Sequence, residues 1–251
     1  MKRKIILLAF MLTTIIISAQ KVNVAAAANL RYVLEEIKTA YMKQNPKANI
    51  NLTFGASGML VQQIQYGASF DFFMSADNEF PLKLKEKGFT IGTMSTYAYG
   101  KLALYSTSIE VNKLGLITLT IPSVKKIVIA NPVTATYGTR AMELIKSMKI
   151  YEDIKDKIII GENISQAAQF AFSGNAEVGF IAYSYALAPE MAGKGNCYII
   201  PQDMYKPIEQ ACILIKTTVL NTEAAKFKKF VLSPAIKAIW EKSGYSVPES
   251  K

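Results

Sequence analysis

The sequence predicts an α/β chain of two lobes, each a mostly parallel β-sheet covered by helices on both faces. Three observations carry this. Short strand-like apolar runs alternate along the chain with longer stretches of helical period. The alternation runs once, reaches a strand at YGKLALYS (99–106), and then begins again. The chain has 251 residues, 51% of them hydrophobic, which is enough for one large core or two smaller ones.

The first nineteen residues, MKRKIILLAFMLTTIIISA, stand apart. Lys2, Arg3 and Lys4 precede an apolar run from Ile5 to Ile17, and Ser18 and Ala19 are small. This is the layout of a secretory signal peptide cut near Ala19–Gln20, which implies export. The apolar run is short for a membrane span of about 20 residues, and it holds no cysteine to take a lipid.

In the first lobe, KVNVAAAA reads as a strand, and the helical spacing of Leu30, Val33, Leu34, Ile37 and Tyr41 follows it. NINLTF (49–54) is a second strand, and GMLVQQIQYG is a helix with Leu60, Val61 and Ile64 on one face. FDFFMSA is a short strand, and EFPLKLKEKGF is helical after Pro81. In the second lobe, KKIVIA (125–130) is a strand and TRAMELIKSM a helix. IYEDIKDKII gives a short helix and a strand, SQAAQFAFSG a helix, and VGFIAYS a strand. CYIIP and IEQACILIK are strands on either side of a loop. The C-terminal stretch from 223 to 245 holds two helical segments broken near Pro234. The expected division is lobe 1 at 20–98 plus 208–251 and lobe 2 at 99–207, after a signal peptide at 1–19.

The formal net charge of +10 falls to +7 once the three basic residues of the leader are set aside. A modest positive field favours anions in general. The basic residues are scattered along helical faces, so no nucleic-acid partner is expected. There is no histidine, which removes the commonest general base and, with only two cysteines, leaves a poor zinc set. Cys197 and Cys212 both fall in strand-like runs. A disulfide and two buried free thiols are both open readings.

The informative feature is a set of four strand-to-helix turns: AAAAN (25–29), GASG (55–58), TATYG (134–138) and GENIS (161–165). Their residues are small or polar, Glu162 alone carrying a charge. The first turn of a helix exposes N–H groups without intrahelical partners, and with the helix dipole these attract anions. Four such turns converging from two lobes make a cradle of neutral donors for a dianion. Asn29 and Ser57 add side-chain donors, and Gly55 and Gly58 let the backbone approach closely. Taken singly, each turn is also explained by simple capping. Arg31 and Arg140 follow two of the turns at offsets that do not fix their direction.

Five phrases carry a family resemblance: VAAAANL (24–30), FGASGMLVQQIQYGASFDFFMSAD (54–77), ANPVTATYG (130–138), GENISQAAQFAFSGNAEVGFIAYS (161–184) and PIEQACILI (207–215). In order and spacing they resemble the periplasmic molybdate-binding proteins of bacterial ABC importers, in the branch with asparagine in the first ligand loop. The resemblance covers essentially the whole chain after the leader. It implies a type II periplasmic binding protein fold with two lobes, two crossings and the ligand in the cleft. It implies molybdate or tungstate as ligand, an inner-membrane ABC permease as partner, a monomer in the periplasm, no cofactor and no catalysis. It assigns the oxyanion to Ala28, Asn29, Ser57, Tyr137 and Ile164, the last two through backbone N–H groups. One family tyrosine ligand falls on Ala182, which has no hydroxyl, and the resemblance leaves open whether Tyr137 or Tyr183 compensates. Alternation along a strand sets Tyr183 opposite to Ala182.

Three other readings remain. A receptor of the same class for sulfate, phosphate or a small organic acid differs only in cargo, and an organic acid would call for an arginine clamp. An enzyme is disfavoured, since GASG lacks the rest of a nucleotide loop and there is no G-x-S-x-G elbow. A module for a protein or wall component fits poorly with uncharged polar loops.

Overall fold

A computed structural model describes residues 21–249. The proposed signal peptide lies outside the described residues. The first pass of the chain forms β1 (Lys21–Ala27), α1 (Arg31–Gln44), β2 (Asn49–Gly55), α2 (Ser57–Gln65), β3 (Phe72–Met74), α3 (Glu79–Glu86) and β4 (Thr90–Gly100). The second forms β5 (Leu102–Ser106), α4 (Val111–Leu114), β6 (Ile127–Ala130), α5 (Thr136–Ser147), α6 (Tyr151–Ile154), β7 (Ile158–Gly161), α7 (Ile164–Phe172), β8 (Val178–Ala182), α8 (Tyr183–Ala186) and β9 (Asn196–Ile199). The chain then returns through β10 (Ile208–Ile215), α9 (Thr222–Val231) and α10 (Lys237–Lys242).

Two five-stranded sheets result, ordered β2-β1-β3-β10-β4 and β7-β6-β8-β5-β9. Both are mixed, not mostly parallel. β1 runs parallel to β2 and β3, whereas β10 is antiparallel to β3 and β4. In the second sheet β6 is parallel to β7 and β8, and β5 is antiparallel to β8 and β9. The strands beside the two crossings supply the antiparallel pairs. Their apolar patterns do not encode direction, so the sequence could not distinguish the two arrangements.

Period-two alternation assigns residues of the first sheet to its two faces. Phe72, Met74 and Cys212 share a core with Leu34, Ile37, Phe227 and Trp240. Their neighbours Phe73 and Ile213 face the other way, onto Leu60, Ile64 and Leu84. One face is therefore covered by α1, α9 and α10, and the other by α2 and α3. Cys197 and Cys212 lie in different sheets, and both are free thiols.

Two elements differ from the sequence reading. β4 is a long strand in TIGTMSTYAYG, a run of small and polar residues that carries no clear apolar alternation. Tyr183 does not continue β8 but opens α8. Its ring packs where a Cβ on Gly244 would come within 2.8 Å of it. Tyr183 therefore points away from the ligand loops, though not for the strand-alternation reason expected.

Candidate oxyanion site between the lobes

The four predicted turns converge on one small cavity of about 200 Å³. Ala28, Asn29, Ser57, Tyr137 and Ile164 all line it, together with Ala27, Gly55, Ala56, Ala76, Ala135 and Thr136. None of these side chains carries a formal charge. Two loops come from the first sheet and two from the second. Ala182, Tyr183, Glu162, Arg31 and Arg140 are not among the lining residues.

Local sequence explains why the helix ends remain available as donors. Ala27, Ala56 and Ala135 precede the helical turns at Ala28, Ser57 and Thr136, and none has a side-chain oxygen to cap them. In α7, Asn163 does cap, but its Oδ1 accepts from Ser165 N at 2.9 Å and Gln166 N at 3.1 Å, one residue beyond Ile164. First-turn N–H groups left without caps are the natural ligands of an anion.

Ser57 is 2% exposed, and its Oγ accepts a 3.0 Å bond from Ala76 N. That bond uses a lone pair and leaves the hydroxyl proton to donate. Asn29 does not cap its helix. Its Nδ2 donates to Gln210 Oε1 at 2.8 Å and to Tyr245 OH at 3.0 Å, and its buried Oδ1 has no protein partner. The carbonyls of the first loop are held from behind. Tyr185 OH donates to Ala28 O at 2.8 Å and Tyr245 OH to Asn29 O at 2.7 Å, with Ser184 Oγ 3.2 Å from the same oxygen. Each of these bonds keeps a loop carbonyl turned outward and its N–H groups turned inward.

Tyr137 is buried, and its hydroxyl does not reach into the cavity as a substitute for the family tyrosine. It fills the space where a Cβ on Gly100 would lie, 2.1 Å away, and stands 3.5 Å from Gln210 Nε2. Burial pushes the phenols of Tyr97, Tyr137 and Tyr245 well above their ordinary range, so all three stay protonated. Gly138 is required by space. A Cβ there would sit 2.1 Å from Ala130 O.

The structure also reveals groups that local patterns did not. Thr136 Oγ1 donates to Asp77 Oδ2 at 2.5 Å, joining a cavity residue of one lobe to a buried carboxylate of the other. Gly58 N donates to Thr134 O at 2.9 Å beside it. Gln210, fully buried at a register shift in β10, lies between Asn29, Tyr97 and Tyr137. Its signal was a lone glutamine in an otherwise apolar strand. Arg140 is buried but turned to Glu143, at 3.0 Å, and Glu79, at 3.9 Å. Arg31 is exposed, with its guanidinium 5.0 Å from the centre of the Phe54 ring. Among the described residues no group of three or more His, Cys, Asp or Glu is placed to hold a metal ion, and no helix is long and apolar enough to cross a membrane.

Known proteins of similar sequence and fold share this architecture. Residues 22–246 match the family described as bacterial extracellular solute-binding protein. The molybdate-binding protein ModA of Rhodobacter capsulatus is 36% identical over 230 residues, covering 91% of this chain and 89% of the relative. Its namesake in Azotobacter vinelandii is 34% identical, covering 91% of each chain. The solved structure of the Azotobacter vinelandii periplasmic molybdate-binding protein superposes with a TM-score of 0.86 at 28% identity, covering 91% of this chain and all of that one. The sulfate-binding protein SubI of Mycobacterium tuberculosis shares the fold at a TM-score of 0.76 and 14% identity. With the matched family spanning nearly all the described residues and two relatives above 30% identity, the chain belongs to the bacterial extracellular solute-binding proteins, as a homologue of the molybdate-binding proteins.

Proposed function

We propose that the chain captures molybdate or tungstate outside the cytoplasm and delivers it to an ABC permease in the inner membrane. One observation carries the reading: uncharged helix N-termini from both lobes meet at a single small cavity with Ser57 and Asn29 at its wall. The ligand is held through Ala28, Asn29, Ser57, Tyr137 and Ile164. The N-terminal leader is removed on export, which places the mature chain in the periplasm.

Neutral donors suit a fully ionised anion. They offer it hydrogen bonds without adding a counter-charge, and no acceptor among them invites a proton. Size then selects the cargo. Sulfate is smaller than molybdate, and donors fixed by two lobes cannot all close on it, so each bond lengthens and weakens. The lobes, proposed as 20–98 with 208–251 and 99–207, shut on the anion, and the shut form is what the permease recognises. The cavity gives no physical ground for separating molybdate from tungstate, which are nearly equal in size.

Calorimetric titration of ligand-stripped protein tests this. Molybdate and tungstate should bind at one site per chain, and sulfate and phosphate far more weakly. Sulfate binding as tight as molybdate overturns the cargo.

A further inference from the structure

The inference concerns how Asn29 comes to present a donor, and it rests on the oxyanion reading above. In the arrangement the structure holds, Tyr97 OH lies 2.7 Å from Ser75 O and 3.0 Å from Gln210 Oε1. A phenol has one proton, and a backbone carbonyl has none. The proton belongs to Ser75 O, so the second contact sets oxygen against oxygen. Gln210 Nε2 meanwhile has only a long 3.5 Å approach to Tyr137 OH. Asn29 Nδ2 is spent on Gln210 and Tyr245, and the polar atom left over is Oδ1, an acceptor on a cavity-lining residue. An acceptor facing a dianion is repelled.

Turning both amides over repairs these contacts together. Gln210 Nε2 then donates to Tyr97 OH and to Asn29 Oδ1, and Tyr137 OH donates to Gln210 Oε1. Tyr245 adapts by sharing its proton between Asn29 O and Oδ1, helped by Ser184 Oγ, which lies 3.2 Å from Asn29 O. Asn29 Nδ2 is left needing an acceptor, which an oxyanion supplies. We propose that Gln210, which does not line the cavity, sets the polarity of the Asn29 amide, so that anion binding turns the pair over and Asn29 Nδ2 donates to the anion. Gln210 is thus a positioning residue that makes Asn29 read for a fully deprotonated ligand.

The test pairs side-chain amide ¹⁵N NMR of the wild-type protein with titration of Gln210→Glu and Gln210→Met. Molybdate should shift the Asn29 Nδ2 and Gln210 Nε2 resonances together. Glutamate at 210 offers acceptors only, holds Asn29 Nδ2 toward itself and should lower molybdate affinity by more than tenfold, a loss on the scale of a charged hydrogen bond. It should also narrow the preference for molybdate over hydrogen phosphate. Gln210→Met removes the bias without imposing the opposite one, so its loss should be smaller and its preference unchanged. Asn29 resonances unmoved at saturating molybdate overturn the proposal. So does Gln210→Glu binding molybdate like the wild type. The NMR arm decides the matter even if a variant does not fold. Failure of the wild type to bind molybdate would instead overturn the function reading, and this inference with it.

Discussion

Thr136 Oγ1 and Asp77 Oδ2, 2.5 Å apart, tie the start of α5 in one lobe to the loop before α3 in the other. Asp77 is otherwise held within its own lobe, accepting from Phe80 N at 2.9 Å and Ser75 Oγ at 3.2 Å. The bond to Thr136 is therefore one that lobe closure makes. Thr136→Val keeps the shape and removes the hydroxyl. It should weaken molybdate binding by about 1.5–3 kcal/mol, the range for hydrogen bonds to charged groups, with little change in ligand-free thermal stability. Calorimetry and a melting curve of each form check both parts.

Ser57→Ala should weaken molybdate binding by about 1–3 kcal/mol. The same change leaves Ala76 N without its acceptor, so the ligand-free protein should also lose stability. The binding loss must therefore be read from Kd, and not from a shift in Tm with ligand. Unchanged affinity would count against Ser57 as a ligand.

Gly138→Ala should destabilise the protein by about 1–3 kcal/mol or more, as overpacking does. The new methyl meets the Ala130 carbonyl, which is backbone and cannot rotate away. Because the start of α5 must shift, molybdate affinity should fall with stability. Denaturant unfolding and titration measure the two.

Alkali should destabilise the fold well before the buried phenols ionise. Burial pushes the Cys212 thiol up to about 12 and the Cys197 thiol up to about 11, both from an ordinary value of 9.0. Above pH 9 these thiols ionise in the unfolded chain but not in the native one, so stability falls as pH rises toward the folded values. The slope approaches about 1.4 kcal/mol per pH unit for each thiol. Denaturant titrations between pH 8 and 11 check the slope, and Cys212→Ala should reduce it.

The sequence read well where the signal was local. A strand, a tip of small residues and an amphipathic helix occupy one short window, and all five residues named from those windows line one cavity. What lay behind them was not legible. Asn29 meets Gln210 across 181 positions and Tyr245 across 216. No periodicity reports such pairings. Asp77 looked like an ordinary turn residue because its partner Thr136 is 59 positions away. Strand direction was misjudged for the same reason: apolar pattern reports burial, and the crossings that reverse β5 and β10 are set by tertiary structure.

The most direct test is a crystal structure of the molybdate complex, with the metal located by its anomalous scattering. The account predicts one strong peak per chain in the cavity between the lobes. Its oxygens should lie within about 2.7–3.2 Å of Ser57 Oγ, Asn29 Nδ2 and the backbone nitrogens of Tyr137 and Ile164, the range of ordinary hydrogen bonds. A peak elsewhere, for example beside the exposed Arg31, or a cavity left empty at saturating molybdate, would contradict it.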